Sequence, residues 1–389
     1  MAAVGLALAV VVVVGAIHLR PQPVPATSAA GTPTPRLPDG PESVLQSQFL
    51  SASVGWVVTG GSVYAALLRT TDGGRHWQRQ LDAETGSNDW GLWFFDALHG
   101  VVYGADLHGP AMWRTSDGGQ RWTRLETPCR SAPGLVFFLD PGHGWCINHV
   151  AGTLQVTQSA DDRQEVALLR TTDGGAHWSK VLTTTTEQPV ANGLGDDGQK
   201  SWIGFRDARV GWIGQSTKGD VAVVYGTTDG GDHWSRQVLA PPPDSRARAQ
   251  RTWEVGPRET GGLKVSALVA GSFVAGPQAP SVVVGDQYLY RWHGSTWTGP
   301  VPLPTGVVSV TSESHWWVMD SSSLVETTDG GVDWHLAGET PAGWLIDRLT
   351  MVDPGHGWAL ASRPRLPAFT AVLRSDDGGR DWTPIAIPG

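Results

Sequence analysis

The 389-residue chain has two cysteines, four methionines, five tyrosines and four lysines. Two cysteines and scattered histidines offer no metal-ligand spacing, and with no cofactor motif in the sequence neither a metal nor a cofactor is expected. A formal charge of -9 leaves no basic footprint for nucleic acid. Arginine outnumbers lysine 24 to 4, which reads as a bias toward GC-rich codons before any functional meaning. Helical periodicity is scarce as well. Against these shortages stand 50 glycines, 27 prolines and 20 tryptophans, the composition of many short strands joined by tight turns. The class expected is all-β.

One long hydrophobic run exists, Ala2 to Leu19. As a helix it would be about 27 Å long and would just span a hydrocarbon core. Residues 1–20 are therefore expected to be an uncleaved signal anchor, although Arg20 alone does not set its orientation. No cysteine follows the run, which excludes a lipoprotein anchor. Residues 21–43 carry seven prolines among Ala, Ser, Thr and Gly and are expected to form an extended tether. The expected location is the cell membrane, with residues 44–389 held outside the cytoplasm.

A box of eight residues recurs through that remainder. It reads TTDGGRHW at Thr70–Trp77, TSDGGQRW at Thr115–Trp122, TTDGGAHW at Thr171–Trp178, TTDGGDHW at Thr227–Trp234, TTDGGVDW at Thr327–Trp334 and SDDGGRDW at Ser375–Trp382. A decayed copy, Tyr290–Trp297, keeps only Gly294 and Trp297. The closing tryptophans fall 37 to 63 residues apart, the period of an array whose unit is one four-stranded sheet. Upstream of each box lies a hydrophobic strand, a turn with Asp or Ser, then Gly and an apolar strand, as in FFLDPGHGWCI at Phe137–Ile147. Each unit thus reads as strands A, B, C and D, with the box as the C–D hairpin. Seven units predict a seven-bladed β-propeller.

Within the box the aspartate can accept N–H groups of its own turn, the glycines permit positive φ, and the tryptophan folds beneath the hairpin. The residues assigned this structural role are Asp72, Gly74, Trp77, Asp117, Gly119, Trp122, Asp173, Gly175, Trp178, Asp229, Gly231, Trp234, Asp329, Gly331, Trp334, Asp377, Gly379 and Trp382. A catalytic acid is not needed six times, so none of these aspartates is expected to be catalytic. Cys129 and Cys146 lie 17 residues apart, and a bridge between them and two separately buried thiols are both open readings.

In an A-B-C-D sheet every box falls on one face, while the long insertions fall on the other. The insertion around 240–262 carries Arg246, Arg248, Arg251, Trp253, Glu254 and Arg258. Two others carry Asp161 and Asp162, then Asp196 and Asp197. A basic patch beside an acidic one is the candidate binding surface, and neither aspartate pair has the ligand ladder of a calcium site.

The box resembles the Asp-box, or bacterial neuraminidase repeat, Ser/Thr-x-Asp-x-Gly-x-x-Trp. With its upstream Asp, turn and Gly-Trp pattern, the chain is similar to the photosystem II assembly and stability factor propellers. That resemblance implies a non-enzymatic, extracytoplasmic scaffold that binds membrane-protein partners. Sialidases share the box but place an Arg-Ile-Pro motif ahead of its first copy, and no Arg-Ile-Pro occurs here. A sialidase-like glycoside hydrolase or a glycan-binding propeller is the alternative; as an enzyme it would draw on Asp161, Asp196 and Glu254.

Overall fold

The computed structural model describes residues 43–388, apart from 62, 86–88, 131–134, 150–163, 218–222, 242–262, 269–280, 285–287, 313 and 364–368. The expected anchor at 1–20 and almost all of the tether lie outside the described residues. Among those described, no helix is long and apolar enough to cross a membrane.

The chain is an all-β propeller built of four-stranded antiparallel blades. Its first sheet takes consecutive strands Ser43–Phe49, Gly55–Gly60, Tyr64–Thr70 and Gln78–Glu84, hydrogen-bonded in that order. Among the described residues the expected count of seven blades is corrected to six, with a separate two-stranded ribbon of Val190–Ala191 and Leu194–Gly195. Five have four strands, but units four and five share a single eight-stranded sheet. The cause is a pairing between units: Gly211–Thr217 extends past its partner Val223–Thr227 and takes up Leu263–Leu268, with Ser216 opposite Lys264 and Thr217 opposite Leu263. A free strand edge is a template for pairing, and the next unit fills it.

Strand chemistry explains the layering inside a sheet. The second strand is buried along nearly its whole length, as in Gly55–Gly60 and Gly144–His149, whereas the fourth is largely exposed, as in Gln78–Glu84 and Ser235–Val238. Strands covered on both sides read as continuous hydrophobic runs, and edge strands keep their polar residues.

The glycine that opens the second strand has a steric reason. A Cβ on Gly55 would stand 2.1 Å from the Phe49 ring, on Gly100 2.3 Å from Phe94, and on Gly211 2.4 Å from Phe205. The phenylalanine ring lies in the space that the missing side chain leaves. Its far side reaches the preceding sheet: Phe94 stacks on Trp56 at 3.6 Å, Phe205 on Trp145 at 3.6 Å and Phe49 on Trp358 at 4.2 Å. The box tryptophan of its own unit meets the same ring edge-on, with centroids 6.2 to 6.5 Å apart at Trp77, Trp122 and Trp234, and Trp178 meets Phe138 in the same way at 5.9 Å. Trp234 and Trp382 are buried, while Trp77, Trp122, Trp178 and Trp334 are half-buried.

The stack of Phe49 on Trp358 joins the first sheet to the last. Thr370 Oγ1 donates to the Val44 carbonyl at 2.8 Å across the same junction. First and last sheets are each made of consecutive strands, so the ring closes by packing, without exchange of a terminal strand. Cys129 and Cys146 are bonded, with Cα atoms 6.1 Å apart, and tie the end of unit two to the second strand of unit three.

Phe205 is 1% exposed and bridges two sheets, so Phe205→Ala should cost about 3–5 kcal/mol in chemical denaturation. Val332→Ala, at an exposed position, should stay within about 0.5 kcal/mol. Equal effects for the two variants would refute the interlocking role of the ring.

Candidate functional site

Each box hairpin is organised around a buried hydroxyl. Thr70 Oγ1 accepts the Gly74 N–H at 2.8 Å and donates to Asp72 Oδ1 at 2.9 Å, while the same carboxylate accepts the His76 N–H at 2.9 Å. Thr115, Thr171, Thr227, Thr327 and Ser375 repeat the pattern. All six hydroxyl residues are at most 3% exposed. Both glycines of each intact box have φ between 72° and 99°, a region that residues with a Cβ avoid. Asp72, Asp117, Asp173, Asp229, Asp329 and Asp377 are thus held by their own turns.

The hairpins share a face with the A–B turns, as expected. The first glycine N–H of each box donates to an A–B turn carbonyl, from Gly73 to Ser53, Gly118 to Leu98, Gly174 to Gly142, Gly230 to Arg209, Gly330 to Ser314 and Gly378 to Gly355. In four A–B turns an aspartate accepts the N–H groups two and three residues further on: Asp96, Asp140, Asp207 and Asp353.

A third set of groups was not anticipated from the sequence. The residue just before the box is arginine in units one, two, three and seven, and it reaches the next hairpin around the ring. Arg69 Nη1 donates to the Gly118 carbonyl at 2.7 Å, Arg114 to Asp173 at 2.7 Å, Arg170 to Gly230 at 3.1 Å and Arg374 to Gly73 at 2.7 Å. The signal was present as the recurring Arg-Thr and Arg-Ser pairs, but nothing in a single repeat says that the side chain crosses to its neighbour.

On the opposite face, the candidates Asp161, Asp162, Arg246, Arg248, Arg251, Trp253, Glu254 and Arg258 lie outside the described residues. Asp196 and Asp197 are described, and they differ. Asp196 is 5% exposed, and its backbone is bonded to Pro189 and Gln164, so it does not belong on an open binding surface. Asp197 is half-exposed and central to a network that sequence reasoning missed. Tyr225 Oη donates to its Oδ1; Arg236 Nε lies at 3.2 Å and Gln215 Nε2 at 3.3 Å from Oδ2. Beneath it Lys200, 1% exposed, donates to the Asp197 carbonyl at 2.5 Å and to Gln215 Oε1 at 2.9 Å, with its ammonium 5.1 Å from the Tyr225 ring centroid. Burial pushes the Lys200 ammonium down to about 8, and the Asp197 charge opposes that shift. Burial raises Tyr225, and its bond to Asp197 raises it further. Every polar group of Lys200 is turned inward, so the network braces this end of the unit, with only Asp197 and Arg236 reaching solvent.

Among the described residues no group of His, Cys, Asp and Glu could hold a metal ion.

The fold and these hairpins define the class: an all-β propeller whose sheets are clipped together at one rim. No family model matches the chain, and no curated protein matches it by sequence. Solved structures do match. One described as "YCF48 bound to D1 peptide" is 17% identical, covers 88% of this chain and 98% of that one, and superposes with a TM-score of 0.52. A puromycin-hydrolyzing peptidase of Mycobacterium tuberculosis is 15% identical with a TM-score of 0.52, covering 87% of this chain. This chain spans about half of that peptidase, 52% of its length. A polysaccharide lyase, an ulvan lyase bound to -[GlcA(1-4)Rha3S]-, is 12% identical, covering 89% of this chain and 95% of that one, with a TM-score of 0.49. At these identities the likeness is one of fold.

Two pH effects follow. The Asp173 carboxyl is lowered to about 2, first by the His177 N–H and then by the His177 ring and the Thr171 hydroxyl, against a smaller desolvation cost. An unfolded aspartate titrates near about 4, so stability present above that pH should drain away as pH falls toward about 2. Asp173→Asn should make that acid limb shallower in urea midpoints taken against pH. Lys200 has the reverse sense. Its folded form sheds a proton near 8 and its unfolded form near 10.5, so stability should rise between those values. Lys200→Met should remove that rise, and an unchanged alkaline limb would show that the amine is not buried in solution.

Proposed function

We propose that this protein is a non-catalytic scaffold that binds protein partners outside the cytoplasm, tethered to the membrane through residues 1–20 and the tether at 21–43, and similar in role to photosystem II assembly factor propellers of the Asp-box type. The observation that carries the reading is the end-to-end fold match to a propeller solved with a bound peptide, covering 98% of that chain. The architecture supports it physically. Sheets locked to their neighbours by aromatic stacks and arginine clips form a rigid frame, and loops on a rigid frame are where binding residues concentrate. The strands ending at Val238 and starting at Leu263 open away from the box face, so the 242–262 insertion leaves and re-enters on the side opposite the hairpins. Its arginines and Trp253 are the residue types that dominate protein interfaces. A bonded Cys129–Cys146 pair suits an oxidising compartment.

The experiment replaces 242–262 by a short Gly-Ser linker in the membrane-anchored protein. Ala240 stays, because its carbonyl accepts the Tyr290 hydroxyl. The variant should melt as the native protein does and lose at least tenfold in partner yield when native and variant are purified side by side from membranes. Undiminished yield would move the binding surface elsewhere. Turnover of a fluorogenic sialoside or other glycoside that disappears with Glu254→Gln would replace the scaffold reading by the hydrolase one.

A further inference from the structure

The arginine clip has a gap. In unit four the residue before the box is Gly226, and it occupies the clip position in register. Trp56 on the second strand lies opposite Arg69, Trp145 opposite Arg170 and Trp358 opposite Arg374; in unit four Trp212 lies opposite Gly226. The next hairpin, in unit five, is altered too. It turns over His293–Thr296, closed by the His293 N–H on the Thr296 carbonyl, and is two residues shorter than the intact boxes.

The two changes coincide in space. A Cβ on Gly73, Gly118 or Gly174 would stand 2.6 to 2.7 Å from the Nη1 of the incoming arginine, and on Gly230 3.0 Å. A Cβ on Gly294, in the short hairpin, meets nothing within 4 Å. A cavity of about 250 Å³ opens here, walled by Gly226, Trp212, Trp292, Gln237, Asp229 and Gly294. That is below the roughly 300–1,000 Å³ of sites for drug-sized ligands and suits a single side chain.

We propose that this cavity receives an arginine side chain from a partner polypeptide. The chain itself shows four times which group fits such a junction: a guanidinium that donates to main-chain carbonyls of the facing hairpin. At one of these junctions the cation also lies over a strand-B indole, Arg69 standing 5.4 Å from the centroid of Trp56. At the junction of units four and five Trp212 and Trp292 are in place and the clip arginine is missing. Arg206 also lines the cavity, but its guanidinium is paired with Asp207 at 3.1 Å, and His233 is paired with Asp229 at 2.8 Å. A carboxylate guest would meet Asp229 and gain nothing from the indoles, and a lysine ammonium lacks the planar fork that stacks and donates together.

The source of the arginine rests on the scaffold reading; the site does not, and it is tested with a free probe. N-acetylarginine amide and the uncharged N-acetylcitrulline amide are titrated into the fluorotryptophan-labelled protein, and the Trp292 resonance is identified by its loss in Trp292→Phe. The arginine derivative should shift that resonance, with the citrulline derivative at least tenfold weaker. Gly226→Arg supplies the missing clip from within. Its Cβ would press on the end of Gln237, at 2.9 Å, whose Oε1 accepts the Trp297 indole N–H at 2.7 Å, so the variant should stay folded with at most a small drop in melting temperature and lose the shift. Gly226→Gln, a neutral filler, should also block the probe. No shift in the native protein, equal shifts with citrulline, or an undiminished shift in a folded Gly226 variant overturns the proposal. Failure here leaves the 242–262 experiment standing, because that insertion leaves the opposite face.

Discussion

At three junctions neighbouring sheets are held together by a phenylalanine that packs against both. Phe49, Phe94 and Phe205 each lie against a glycine of their own sheet, flat on a tryptophan of the preceding one and edge-on to their own box indole. Stacked and edge-on aromatic pairs contribute about 0.5–1.5 kcal/mol each beyond the area they bury, and here one ring makes both. The contact repeats around the ring, from Phe49 on Trp358 at the closure to Phe205 on Trp145 across it. A ring closed this way needs no shared terminal strand.

The box hairpins add a second, polar interlock at one rim. A buried hydroxyl shapes each intact box, and at four hairpins an arginine of the preceding sheet collects a turn carbonyl. The aspartates serve the turn, each accepting a main-chain N–H of its own hairpin. Repetition also makes departures visible: Gly226 and the short hairpin at Gly294 stand out because four other junctions carry the arginine clip. A departure of another kind occurs in unit six, where Glu326 takes the arginine position and pairs with His315.

Much of this was legible in advance, for a physical reason that differs by element. The order of four strands per unit and the position of each hairpin follow from local rules: alternation of apolar runs with turn residues, and paired glycines at positive φ. The number of separate sheets did not follow, because Ser216 meets Lys264 across 48 positions of sequence by edge pairing, which no single repeat encodes. Asp196 and Asp197 looked alike as an acidic pair. One is buried and the other is clasped by Tyr225, Gln215 and Arg236, partners that strand register brings from elsewhere in the unit and from its outer strand.

By itself the sequence determined the all-β class, the repeating hairpin and the face on which its copies gather, since these depend on residues within one turn or strand of each other. Only the tertiary structure decided that units four and five merge, that arginines cross from sheet to sheet, that Lys200 is sealed beneath Asp197, and that one junction is left open at Gly226. Each of those is a contact between residues far apart in the chain, set by how rings and strand edges fit when the sheets meet.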